Sequence, residues 1–146
     1  MTTSSAESAR ARSLPATPSM AALWTGRVLQ GLAVAFLTFD VAIKISLSHQ
    51  AIEGTVDLGY PSHSVLPIGL IGLACLVLYL IPRTAILGAV LWTGYFGGAI
   101  ATHLRLANPL ATHTLFPIYI AVLVWGGLWL RDERLRALLP LRRAKR

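Results

Sequence analysis

The chain has 146 residues, of which 55% are hydrophobic and 13% charged, with a mean hydropathy of +0.63. That balance excludes a water-soluble domain with a charged surface and predicts an integral membrane protein. The formal net charge of +7 does not point to nucleic acid, because the basic residues gather at the two ends beside apolar segments, where they read as membrane topology.

Residues 1–22 are rich in Ser, Ala, Thr and Arg, include Pro15 and Pro18, and offer almost nothing that could form a core; they are expected to be a disordered tail. Arg10 and Arg12 ahead of an apolar run resemble the start of a signal peptide. The run is longer than an h-region of about 7–15 residues, however, and Asp40 and Lys44 lie where a cleavage site belongs. It is therefore expected to stay attached as the first span, residues 23–48, entered at Trp24 and Arg27.

Asp40 and Lys44 stand out in that span. On a helix, positions i and i+4 share one face, and Asp before Lys is the favourable order for an ion pair. A charge at membrane depth costs at least ~2.5 kcal/mol even on the lenient insertion scale, so such residues face a bundle interior, pair, or serve function. At 1.5 Å per residue, Asp40 falls roughly 20 Å beyond the start of a ~30 Å hydrocarbon core. Lys44, one turn on, can snorkel to the far surface.

The section after Ser48 carries His49, Glu53, Asp57 and His63 but no Lys or Arg. Gly54, Gly59, Pro61 and Pro67 mark it as a loop with a short helix over 50–54, and so long a connection is expected to be functional or to cover something. Span two, 65–81, ends at Ile81-Pro82-Arg83; its Cys75, the single cysteine, excludes an intrachain disulfide and reads as a small buried apolar side chain. Span three, 84–104, has Gly94, Gly98 and Thr102 at i, i+4 and i+8, a groove of small residues expected to let a neighbouring helix approach closely. After a loop turning at Asn108-Pro109, span four covers 112–130, with Pro117 in its first turn and Trp125 and Trp129 near its exit. Residues 131–146 form a basic tail, either lying on anionic lipid or serving as a positive-inside anchor.

Arg10, Arg12, Arg27, Arg83 and the seven basic residues from Arg131 onward fall on one side of the membrane, whereas the other receives Arg105. Both termini are therefore expected in the cytoplasm, and the architecture is an all-α, four-transmembrane-helix up-down bundle. Asp40, Lys44, His49, the acidic loop, His103, Arg105 and His113 then share the extracytoplasmic half.

Three readings fit this set. Asp40, Lys44, His103, Arg105 and His113 line a polar pocket for a quinone or another polar-headed lipophile, with carboxylate and imidazole exchanging protons. Alternatively, His49, His103 and His113 hold a metal, or two of them a haem; this is disfavoured, because His103 and His113 flank a turn with no HxxxH or HxxE spacing on one helix face. In the third reading, Asp40 and Lys44 only neutralise each other, and the protein is a non-catalytic interaction or scaffold subunit of a larger complex, or a homo-oligomer paired through Gly94 and Gly98.

The block running from Leu87 through Gly94-Tyr95-Phe96-Gly97-Gly98 to Thr102-His103-Leu104-Arg105, followed by Asn108-Pro109 and Leu115-Phe116-Pro117, resembles the DoxX-like family of small bacterial membrane proteins. Asp40-x-x-x-Lys44, Leu58-Gly59-Tyr60-Pro61, Leu80-Ile81-Pro82-Arg83 and Trp129-Leu130-Arg131 match as well, so the resemblance covers about 28–139. It implies a four-span fold in the bacterial inner membrane. The family takes its name from a subunit associated with a quinol oxidase, and related members accompany redox systems, so the resemblance implies a redox-associated subunit with a quinone as candidate ligand. It carries no catalytic motif.

Overall fold

In a computed structural model, residues 19–138 are described. They form six α-helices, α1 (Met20–Ile45), α2 (His49–Asp57), α3 (Val65–Leu80), α4 (Ala85–Arg105), α5 (Phe116–Arg131) and α6 (Glu133–Leu138), with a 3-10 turn at Ser62–Ser64 and a π turn at Leu110–Thr114. Four of these segments are long and apolar enough to cross a membrane: α1, α3 with its preceding turn, α4, and α5 with its preceding turn. No strand occurs among the described residues.

The helices pack in a ring, with α1 against α5 and α3, and α4 against α3 and α5. Each contributes a stripe at helical spacing: Ala33, Leu37 and Val41 from α1, Ala85, Ala89, Trp92 and Phe96 from α4, Ile120, Val124 and Leu128 from α5. Leu76 and Tyr79 of α3 complete the core, and the Tyr79 hydroxyl donates across it to the Val124 carbonyl at 3.1 Å. Outward positions such as Leu70, Leu87 and Val122 remain exposed, as expected for side chains that face lipid tails.

Helix starts and stops follow local chemistry. Ser19 caps α1 by accepting from Ala22 N at 3.2 Å, so the helix begins at Met20 rather than at 23, and 20–22 are helical; the rest of the expected N-terminal tail lies outside the described residues. Ser48 caps α2 in the same way, and this helix spans His49–Asp57 instead of 50–54 because Gly54 is tolerated in its interior. Helix α3 ends at Leu80, with Ile81 extended before Pro82. Pro117 sits in the first turn of α5, where its missing N–H is harmless. The C-terminal segment folds back as α6, with Leu135 buried in the core and its N–H 3.4 Å from Asp132 Oδ1. Whether the segment beyond Leu138 lies on lipid falls outside the described residues.

Helices α1, α2 and α4 all end alike. The backbone N–H of Ser48 reaches Ile43 O, that of Tyr60 reaches Thr55 O and that of Asn108 reaches His103 O, while Leu47, Gly59 and Ala107 close the inner bond of each cap. These are Schellman caps. Leu47, Gly59 and Ala107 occupy their left-handed positions at φ 50°, 80° and 52°. All three caps lie at the end of the bundle away from Met20 and Arg131, called the distal end below.

Candidate functional site

The distal end holds a partly open cavity of about 540 Å³, within the range of small-molecule sites. Helices α1 to α5 all contribute to its wall: Asp40 and Lys44 from α1, Thr55 from α2, Ile68 and Ile71 from α3, Tyr95, Ala99 and His103 from α4, Ile120 from α5. Aromatic rings surround the polar groups. Phe36 and Phe116 meet edge to face at 5.3 Å, and Trp92 stacks on Phe96 at 5.3 Å.

The Lys44 ammonium donates to the Asp40 carboxylate in an i, i+4 ion pair, with side-chain exposures of only 18% and 24%. Glycines on α3 set its position. Gly69 lies against Lys44, where a Cβ would meet the Lys44 Cβ at 2.9 Å and the Ile45 N at 3.3 Å, and Gly72 lies against Val41, where a Cβ would meet a methyl at 3.1 Å. Shielding from water strengthens the attraction within the pair, although each ion has given up hydration to enter.

His103 reaches the cavity from the last turn of α4. The Asn108 amide nitrogen lies 2.9 Å from its Nδ1; an amide NH₂ can only donate, so Nδ1 accepts and the ring proton sits on Nε2. The ring thus keeps one donor for a ligand. The His113 ring stands edge-on to His103 with centroids 5.8 Å apart, but His113 is exposed and its Nδ1 pairs with Thr112 Oγ1 at 2.8 Å. His113 therefore backs the site from outside the cavity wall.

A roof closes the distal side. Thr55, Leu58 and Tyr60 line the cavity from above, and two bonds tie this segment to α4. Thr102 Oγ1 donates to Gly98 O at 2.9 Å, which makes the Tyr60 hydroxyl the donor in its 2.9 Å contact with Thr102. Arg105 Nη2 donates to Leu58 O at 2.8 Å, passing directly over Gly59, where a Cβ would lie 3.1 Å from the guanidinium. Arg105 is thus a strut for the roof and not part of the cavity wall.

Of the five candidate ligand-binding residues, the structure brings Asp40, Lys44 and His103 together and places Arg105 and His113 behind them. The close helix approach expected along Gly94, Gly98 and Thr102 is not made inside the chain at the two glycines, while Thr102 is buried and meets Tyr60. Nothing lies within 4 Å of where a Cβ on Gly94 or Gly98 would be, both are exposed, and with Thr102 they border the cavity. The close helix approach falls instead at Gly88, whose Cβ would come within 2.4 Å of the Tyr79 backbone. Tyr60, Trp92, Tyr95 and Asn108 also join the site; all four stand in the strings that carry the family resemblance, but nothing in those strings shows what they touch. Among the described residues, no three of His, Cys, Asp and Glu converge as a metal-binding group, and His49 faces Glu53 at 3.4 Å instead of joining His103 and His113.

Four spanning helices around a polar-floored, roofed cavity define a multi-pass membrane protein of the small helical-bundle class. The model of the DoxX-like family matches residues 28–127, most of the chain and all but the ends of the bundle, and the chain belongs to that family. No curated protein and no solved structure matches it.

Proposed function

We propose that the protein is a redox-associated subunit of the bacterial cytoplasmic membrane that binds a quinone-like or other polar-headed lipophile in the distal cavity, with both termini cytoplasmic and the cavity in the extracytoplasmic half. The observation that carries this reading is the convergence of Asp40, Lys44 and His103 on one aromatic-lined cavity. A quinone head group is a flat ring with carbonyl acceptors at opposite edges. It needs donors at its rim and apolar or aromatic surface on its faces. The Lys44 ammonium and the His103 Nε2–H supply donors, and Tyr95, Phe36 and Phe116 supply the surface. Asp40 and His103 are the groups able to exchange the protons that accompany a change in head-group oxidation state, with electrons supplied by a partner redox subunit.

Binding of a benzoquinone to the purified protein in lipid nanodiscs tests this reading. Asp40→Asn and His103→Ala should each weaken binding by about tenfold or more, since each removes a charged or donating partner from a sheltered site, while both variants remain folded and monodisperse. Unchanged affinity in both sinks the reading. Co-purification of a partner protein that survives both substitutions, with no small molecule bound, moves the assignment to an interaction subunit.

A further inference from the structure

We infer that the cavity is entered sideways from the bilayer, through a gap between the distal halves of α3 and α4, and that its occupant is an amphiphile whose apolar tail lies in that gap. The inference rests on the cavity being a ligand site, as proposed above, and adds the route and the tail. Helices α3 and α4 are tightly joined toward the end near the termini, where Gly88 abuts the Tyr79 backbone. Further along, at Gly94 and Gly98, the same helix has open space beside it, and these glycines are exposed while bordering the cavity. Ile71, on the facing edge of α3, is likewise both cavity-lining and 57% exposed. The cavity therefore reaches the lateral surface of a spanning helix pair.

The distal side is the one that the roof covers. Tyr60 is bonded to Thr102 and Leu58 to Arg105, so a solute arriving from water meets a tied segment. One arriving in the membrane meets two glycines and an isoleucine. The inner wall then offers the paired charges of Asp40 and Lys44 and the His103 ring. An apolar gap that leads to polar groups fits a molecule with a polar head and an apolar tail, the head inside and the tail lying among lipid chains.

Photocrosslinking in nanodiscs that contain a phospholipid with a diazirine at mid-chain tests the gap without assuming any head group. Mass-spectrometric mapping should find adducts on the inner-wall residues Tyr95, Ala99 or Ile120. Gly98→Leu should reduce them by about tenfold relative to adducts on the outward-facing Leu70 and Leu87, by filling the gap with a side chain. Gly97→Leu, on an exposed neighbouring glycine that does not border the cavity, should leave them unchanged. Adducts confined to outward-facing residues in the wild type, or equal inner-wall labelling in the Gly98 and Gly97 variants, overturn the inference. A parallel titration compares a long-tailed benzoquinone with its tailless parent. If the wild type binds neither, the quinone reading fails, while the crosslinking pattern still decides whether the gap admits lipid tails.

Discussion

Gly88 and Gly98 lie on one helix, three turns apart, and meet opposite surroundings. At Gly88 the missing side chain is a contact, with the Tyr79 backbone occupying the place of a Cβ; at Gly98 it is an opening, with nothing within 4 Å. Between α3 and α4, the half near the termini is thus closed by backbone approach and the distal half is open beside the cavity, whereas α3 stays close to α1 at the distal end through Gly69 and Gly72. Where lipid offers no hydrophobic drive between helices, close packing of small residues is what holds them. A helix pair that packs closely at one end can leave room for a ligand at the other.

The largest expected effect comes from removing that difference at the closed end. In Gly88→Ala the new methyl would lie 2.4 Å from Tyr79 N and 2.6 Å from its Cα, and no side-chain rotation can relieve a clash with backbone. A loss of about 3 kcal/mol or more is expected, read as aggregation or a collapsed melting temperature in detergent. Gly98→Ala, by contrast, should fold at least as well as the wild type, since Ala favours a helix by up to ~1 kcal/mol over Gly. Equal tolerance of both substitutions would show that the two halves are packed alike.

Next in size is the ion pair. Asp40→Asn leaves the Lys44 ammonium sheltered beside a neutral amide and should lower stability by about 1–3 kcal/mol. Adding Lys44→Met removes the orphaned charge and should restore much of that loss. Ligand affinity, if the pair belongs to the site, stays low in the double variant. Recovery of both stability and affinity would identify the pair as a structural lock between helices.

The roof gives smaller numbers. Tyr60→Phe deletes one hydroxyl bond to Thr102 and should cost about 1 kcal/mol. Its sharper signature is local: amide exchange at 58–60 should quicken while the core of α4 around Trp92 stays protected.

The four spans are legible in the sequence because an apolar run of spanning length has few alternatives, and the Asp40–Lys44 pair because i and i+4 share a helix face. The roof is not. Its two ties join residues 42 and 47 positions apart, and one of them ends on a backbone carbonyl, which every residue has and which no pattern marks. The strings Leu58-Gly59-Tyr60-Pro61 and Thr102-His103-Leu104-Arg105 can each be read, but only the folded chain brings Tyr60 onto Thr102 and Arg105 over Gly59. The glycines of α4 mislead for a related reason. Spacing shows which glycines share a face; whether a neighbour comes to that face depends on how the helices diverge, and Gly88 gains the close neighbour while Gly94 and Gly98 do not.

The distal caps offer the finest test, because three copies of one backbone motif carry different residues at the same strained position. Gly59 adopts its positive φ without a Cβ penalty, whereas Leu47 and Ala107 hold φ near 50° with side chains attached, a conformation that costs an L-residue about 1 kcal/mol. Ala107→Gly should therefore stabilise the protein. The gain is reduced by the extra freedom that glycine has in the unfolded chain, leaving about 0.5 kcal/mol, or a rise of roughly 1–2 °C in Tm. Gly59→Ala should move the opposite way by more, since it introduces the same strain and also sets a methyl 3.1 Å from the Arg105 guanidinium. If strain here serves only to end helices, Ala107→Gly raises Tm and leaves ligand affinity alone. A rise in Tm accompanied by weaker binding would mean that the rigid turn after α4, which carries Asn108 to His103 Nδ1, is what keeps the imidazole proton on Nε2 and aimed for use.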